Sequence, residues 1–257
     1  MNLDARGGAR SPWWSLAIVR EPPPPPLDQS LAPARAATLA KIGQLDDRGI
    51  TRAPPARTGV GSNVELVPWP SLAVGKLRLV RRPQTSLVVT DGLSDPWDPG
   101  LHGNVPAFRF GCELAIEVPR TDDAAPVPAW VAALLFGVSN WLINERFDLR
   151  ARLRAHPCTT LGALPVAGLE AWRAPNGLHG LLVGLPFVGE TLGAHAVLAR
   201  DRSEAVWLLP LKLLHPVEYA WALGARDASR ATWLVQSFLQ SDRHLSRTDR
   251  GPIIGQS

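Results

Sequence analysis

The chain is poor in cysteine, lysine and tyrosine, and it lacks the short signatures of the common enzyme classes. Two cysteines in 257 residues, Cys112 and Cys158, make neither a disulfide framework nor a zinc set, so nothing asks for an oxidising compartment. No G-x-G-x-x-G, P-loop or G-x-S-x-G motif occurs, and the histidines show no H-x-x-x-H ligand spacing. The longest uncharged stretch, Ala124 to Asn144, is interrupted by Pro126, Pro128, Ser139 and Asn140, which favours a buried helix over a membrane span. The apolar island Trp13–Val19 runs into Arg20, Glu21 and a proline run, the wrong exit for a secretory signal. The expectation is a cytoplasmic protein with no membrane partner.

What is present is the composition of a folded chain: 46% hydrophobic and 19% charged residues, enough apolar surface to offset the entropy of ordering. The net charge is +4. Lys41, Lys76 and Lys212 are the only lysines, so arginine carries nearly all the positive charge, as in chains from GC-rich genomes. The arginines are scattered; Arg81–Arg82 and Arg146/Arg150/Arg152/Arg154 are the densest groups, and no nucleic-acid motif accompanies them. Nucleic acid is therefore not an expected partner.

Three regions follow from patterning. Residues 1–30 hold the run Pro22–Pro26 and read as a flexible, Pro-rich arm. Residues 31–63 read as a helix with the face Leu31, Ala34, Thr38, Ile42 and Leu45, followed by a linker. Residues 64–257 read as one α/β (α+β) domain, a mixed β-sheet flanked by helices. Its expected strands are 64–69, 76–80, 86–90, 108–118, 178–186 and 205–210, the fourth half-buried with Arg109, Glu113 and Glu117 turned to solvent. Its expected helices are 127–146, one opened by Pro216, and a last one capped by Asp227 with Ala231, Leu234, Val235, Phe238 and Leu239 inward. Trp130, Trp141, Trp207, Trp221 and Trp233 fall in these elements as core residues.

Asp91, Asp95, Asp98 and His102 share one Gly/Pro-rich loop. Oxygen ligands with an imidazole suit a divalent ion, but Asp before Gly or Pro is ordinary turn chemistry, and the turn reading is preferred. His156-Pro157-Cys158 brings an imidazole near a thiol, yet proximity in sequence supplies neither orientation nor a third residue to hold the base. No catalytic residue, metal or cofactor is assigned. Trp97, between Pro96 and Asp98 in a polar loop, is suited to anchoring an interface or to folding back on the sheet.

The order of several segments is more telling than any one residue. Thr90-Asp91-Gly92-Leu93-Ser94-Asp95 is followed by Gly111-Cys112-Glu113-Leu114-Ala115-Ile116-Glu117-Val118-Pro119 and a long helix bearing tryptophan. Later come Leu208-Leu209-Pro210-Leu211, Glu218-Tyr219-Ala220-Trp221-Ala222-Leu223-Gly224 and a late Arg250. This ordered set resembles the suppressor of fused family over roughly residues 64–250. The Pro-rich arm departs from that pattern.

The resemblance implies a single α/β domain that binds other proteins and catalyses nothing, and the composition points to the family's bacterial branch. There the expected role is an immunity protein that neutralises a cognate polymorphic toxin by stoichiometric binding. The alternatives are an adaptor or chaperone for a secreted effector and an enzyme using Cys158 or the Asp91–His102 loop. Candidate partner contacts are Asp91, Asp95, Trp97, Asp98 and His102, in a loop presented at a strand end. Asp91, Asp95, Asp98, Glu113 and Glu117 are the candidates for a local acidic patch on this basic chain.

Overall fold

A strand whose apolar residues follow one another, rather than alternate, needs cover on both faces. β3 (Thr85–Asp91) is such a strand: Leu87, Val88 and Val89 are consecutive, and all its residues are buried. The computed structural model describes residues 31–51, 76–94, 110–120, 127–145, 147–188, 196–201, 204–225 and 228–255. The expected strand at 64–69 and the arm at 1–30 lie outside these residues, as do Arg109, Arg146 and Asp227.

β3 sits inside an eight-stranded mixed sheet, with helices on both faces, in an α+β arrangement. In chain order the other strands are β1 (Gln44–Thr51), β2 (Lys76–Arg81), β4 (Cys112–Pro119), β5 (Thr159–Ala163), β6 (His179–Val183), β7 (Ala196–Asp201) and β8 (Glu204–Leu213). They run β1-β2-β3-β4-β8-β6-β5 across the sheet, with β7 also on β8. β4 and β8 are parallel; every other pair is antiparallel. Pro210 would be out of place in a central strand, since it lacks an N–H for the ladder. It stands between Leu208, where pairing to β7 ends, and Leu211, where pairing to β6 begins, so the missing donor falls in the gap between them.

Alternation along the strands divides the side chains between two layers. One face is apolar: Leu114, Ile116 and Val118 of β4 and Leu209, Leu211 and Leu213 of β8 join α2 (Ala129–Asn144) in the largest core cluster. Val131, Leu134, Leu135, Val138 and Leu142 recur at helical spacing and are buried there, as the periodicity predicts. α3 (Leu149–Ala155) adds Leu149 and Leu153, and Asp148 caps it by accepting from the Ala151 amide at 2.9 Å. The opposite face carries α1 (Ala32–Ile42) over one half, and α4 (Pro216–Leu223) with α5 (Ser229–Gln240) over the other.

Several expectations need correction. Residues 44–51 are not helix end and linker but the strand β1; it has few apolar residues and a register shift between Asp46 and Ile50, so no period of two shows. α1 turns a different side inward, burying Arg35 and Leu39 rather than a face containing Ala34. Glu113 and Glu117 are buried, not turned to solvent, because α1 and the C-terminal segment cover that side of β4. Trp233 is 43% exposed and Leu239 is also exposed, so the inward face of α5 is Ala231, Leu234 and Phe238. α5 has no side-chain cap. β5 escapes sequence reading because of Gly162. A Cβ there would stand 2.6 Å from Tyr219 Oη, and one on neighbouring Gly180 would stand 2.2 Å from Tyr219 Cγ. Two strands thus give up side chains so that α4 can lie close.

Candidate functional site

The second face of the sheet is built around carboxylates. Glu113 on β4 is fully buried, and the chain just beyond β3 wraps it with donors. The hydroxyls of Thr90 and Ser94 donate to it at 2.5 and 2.6 Å, and the amides of Gly92, Leu93 and Ser94 donate at 3.1, 3.2 and 3.0 Å. Gly92 has φ of 118°, a conformation open to glycine that lets three successive amides converge on one side chain. Burial pushes the Glu113 carboxyl up, opposed first by the Arg35 guanidinium and then by these donors.

Arg35 reaches down from α1 and pairs with Asp91 at 2.8 Å, while Arg78 meets the other Asp91 oxygen at 2.7 Å. Two arginines and two carboxylates thus share one enclosed cluster. Asp91 is therefore turned inward and paired, which corrects its assignment to a surface patch along with those of Glu113 and Glu117. Asp95, Trp97, Asp98 and His102 lie outside the described residues.

Glu117 accepts from Arg82 at 2.9 Å, Thr85 Oγ1 at 2.6 Å and the Val188 amide at 3.0 Å. Across β8, Glu218 and Arg250 form a two-pronged pair with both contacts at 2.7 Å. Glu218 also accepts from the His215 and Ile253 amides, at 2.7 and 2.8 Å. His215 closes the capping box by accepting from Val217. Burial lowers the His215 imidazole, in keeping with its acceptor role.

Lys212 points into the same face. Its Nζ donates to the carbonyls of His244 and Leu245 at 3.1 and 2.6 Å and lies 4.5 Å from the Phe238 ring centre. Burial, then the nearby Arg250, holds this amine well below the ordinary lysine range, with Glu218 pulling the other way. The ring nitrogens of His244 are buried without a hydrogen-bond partner among the described residues. They border a small recess with Glu117, Phe187, Pro210 and Lys212.

The His244 imidazole aside, these polar groups tie distant segments of the chain together. Burial also raises both thiols; Cys158 meets Thr232 Oγ1 at 3.5 Å, and neither sulfur is set up as a ready thiolate. Among the described residues no group of His, Cys, Asp or Glu is placed to hold a metal ion, and no helix is long and apolar enough to cross a membrane. Sequence reasoning missed Arg35 and Arg250 as partners of the motif carboxylates. The available signal was the pair of hydroxyl residues, Thr90 and Ser94, flanking a glycine turn.

The outer surface of α4 and α5 is different in kind. Val217 is 51% and Leu223 50% exposed. The Trp221 and Trp233 rings meet edge to face with centres 5.0 Å apart. Arg230 lies over Trp221 at 5.0 Å and donates to its backbone carbonyl.

No family model and no curated protein matches this chain. Among solved structures it is similar to the crystal structure of Drosophila Suppressor of Fused, at 15% identity and a TM-score of 0.46, covering 69% of this chain and 42% of that one. It is also similar to the crystal structure of the Sufu–Fu complex, at 16% identity and a TM-score of 0.42, covering 69% of this chain and 77% of that one. The chain thus spans less than half the length of the Drosophila structure it matches.

Proposed function

We propose that this chain is a protein-binding module, an immunity protein that neutralises a cognate toxin by stoichiometric occlusion. The observation that carries this reading is the Trp–Arg surface on α4 and α5, with Trp233 exposed and Trp221 and Arg230 half-buried, held on helices whose inner faces are fixed by Tyr219, Leu234 and Phe238. Tryptophan and arginine are among the residue types that dominate interface energetics. The ordered motifs resembling suppressor of fused support a binding role in general, and the toxin as partner is inferred from the bacterial character of the composition.

The segment holding Asp95, Trp97, Asp98 and His102 is a second contact region in this reading. It continues from the Gly92–Ser94 turn, which the Glu113 carboxylate anchors. The test is co-expression with the toxin encoded by the adjacent gene: cells survive and the two proteins co-purify. Binding without rescue favours the adaptor or chaperone reading, and absence of both rescue and complex contradicts the proposal.

A further inference from the structure

An amphipathic helix ordinarily turns its apolar side to the core and its charges to water. α4 does the reverse with its one charged residue. Glu218 is fully buried against Arg250, whereas Val217, one position earlier, is more than half exposed. Val217, Ala220, Trp221 and Gly224 follow i, i+3, i+4, i+7, so the outward stripe of α4 carries no charge. Trp233 of α5 meets that stripe at Trp221, and it is 43% exposed. Val217, Leu223, Trp233 and Leu239 make up four of the six large hydrophobic residues most exposed among the described residues. All four belong to these two helices. Of these, Val217 and Trp233 adjoin Trp221, by helical spacing and by ring contact respectively, and adjoining exposed apolar residues mark an interaction surface rather than scattered exposure.

We infer, building on the protein-binding reading above, that Val217, Trp221, Arg230 and Trp233 form the docking surface for an acidic amphipathic segment of a partner protein. The apolar residues of that segment cover Val217 and the two tryptophans, and its carboxylate pairs with Arg230.

The sign of the partner follows from the charges of the two helices. Glu218 and Arg230 are the only charged residues of α4 and α5, and Glu218 is sealed inside. Arg230 is thus the one charge the two helices have to offer a partner. Its guanidinium is already braced against the Trp221 ring and carbonyl, so little freedom is lost when its remaining donors meet a planar carboxylate. A second copy of this chain suits the surface less well. A two-fold contact through the patch would offer Arg230 no carboxylate from these helices, since Glu218 is sealed inside, in an assembly of two chains each of net charge +4.

The test uses the full chain and two labelled sixteen-residue helical peptides, each with a leucine stripe, one flanked by glutamates and the other by lysines. Fluorescence anisotropy should show the glutamate peptide binding at least ~10-fold more tightly than its lysine counterpart. Trp233→Ala should weaken that binding about 30-fold, the equivalent of about 2 kcal/mol for a hot-spot residue. Arg230→Glu should invert the preference. Val217→Glu, at a site more exposed than Trp233, gives a second disruption, and urea midpoints show that each variant is folded.

Equal binding of the two peptides, binding of neither, or indifference of the glutamate peptide to these substitutions would overturn the inference. So would a dimer in sedimentation that Trp233→Ala dissociates, because the occupant would then be a second copy. The toxin separates the two claims. A toxin complex that tolerates both Trp233→Ala and Arg230→Glu sinks this surface and leaves the protein-binding reading intact. Absence of any toxin complex, with the peptide results as expected, sinks the immunity role and leaves the surface standing.

Discussion

The two faces of the sheet are stabilised by opposite means. Under α2, leucine, isoleucine and valine side chains interlock with no charged member in the cluster. Under α1, α4 and the C-terminal segment, the same strands turn Glu113, Glu117 and Lys212 inward, each met by a partner from far along the chain. Apolar packing tolerates substitution when volume is kept. A buried ion pair tolerates loss of one member badly, because the other is left charged without water. The apolar face therefore supplies stability, and the charged face fixes which segments lie beside which.

That contrast sets the first prediction. Arg250→Ala strands Glu218 in the interior and should cost about 3–5 kcal/mol of unfolding free energy, measured by urea titration. Loss of less than 1 kcal/mol would show that the pair does not hold the C-terminal segment. Adding Glu218→Leu should restore only part of the loss, since the His215 and Ile253 amides would then lack their acceptor. On the other face, Leu134→Ala should cost about 3 kcal/mol by leaving a cavity under α2, with no change in how stability depends on pH.

The apolar face was legible in the sequence, and the charged face largely was not. Val131, Leu134, Leu135, Val138 and Leu142 announce α2 by their spacing, and Leu87-Val88-Val89 announces a strand covered on both sides. Glu113 and Glu117 alternate with apolar residues as solvent-facing side chains would, and period alone cannot tell a buried carboxylate from an exposed one. What decides is Arg35, which lies 78 positions before Glu113, and Arg82, 35 positions before Glu117. The segments that carried the family resemblance contain these carboxylates, so they report the architecture more directly than the contact surface. Trp233 was misplaced for a related reason. Its period on α5 fits neither face cleanly, and only the packing of Ala231, Leu234 and Phe238 shows which side is inward.

A smaller effect separates the charged face from the apolar one by pH. Lys212 has a folded pKa well below its unfolded value, so between the two the unfolded chain binds the extra proton. Stability should rise with pH through that window, up to about pH 10.4, where the unfolded lysine titrates. Lys212→Met removes this contribution. The stability difference between wild type and variant should therefore shift in favour of the wild type as the pH rises toward 10. A difference independent of pH would mean that Lys212 titrates as it does in water.

The smallest stability effect belongs to the surface assigned to a partner. Trp233→Ala should lower the unfolding free energy by about 1 kcal/mol, the worth of its edge-to-face contact with Trp221. The decisive measurement is therefore a calorimetric titration of the cognate toxin into this variant beside the wild type, after their urea midpoints have been compared. The account predicts a midpoint lowered far less than by Leu134→Ala and an affinity about 30-fold weaker in the variant. Unchanged affinity, or a midpoint that falls as far as that of Leu134→Ala, would contradict the division between a face that builds the fold and a surface that meets the partner.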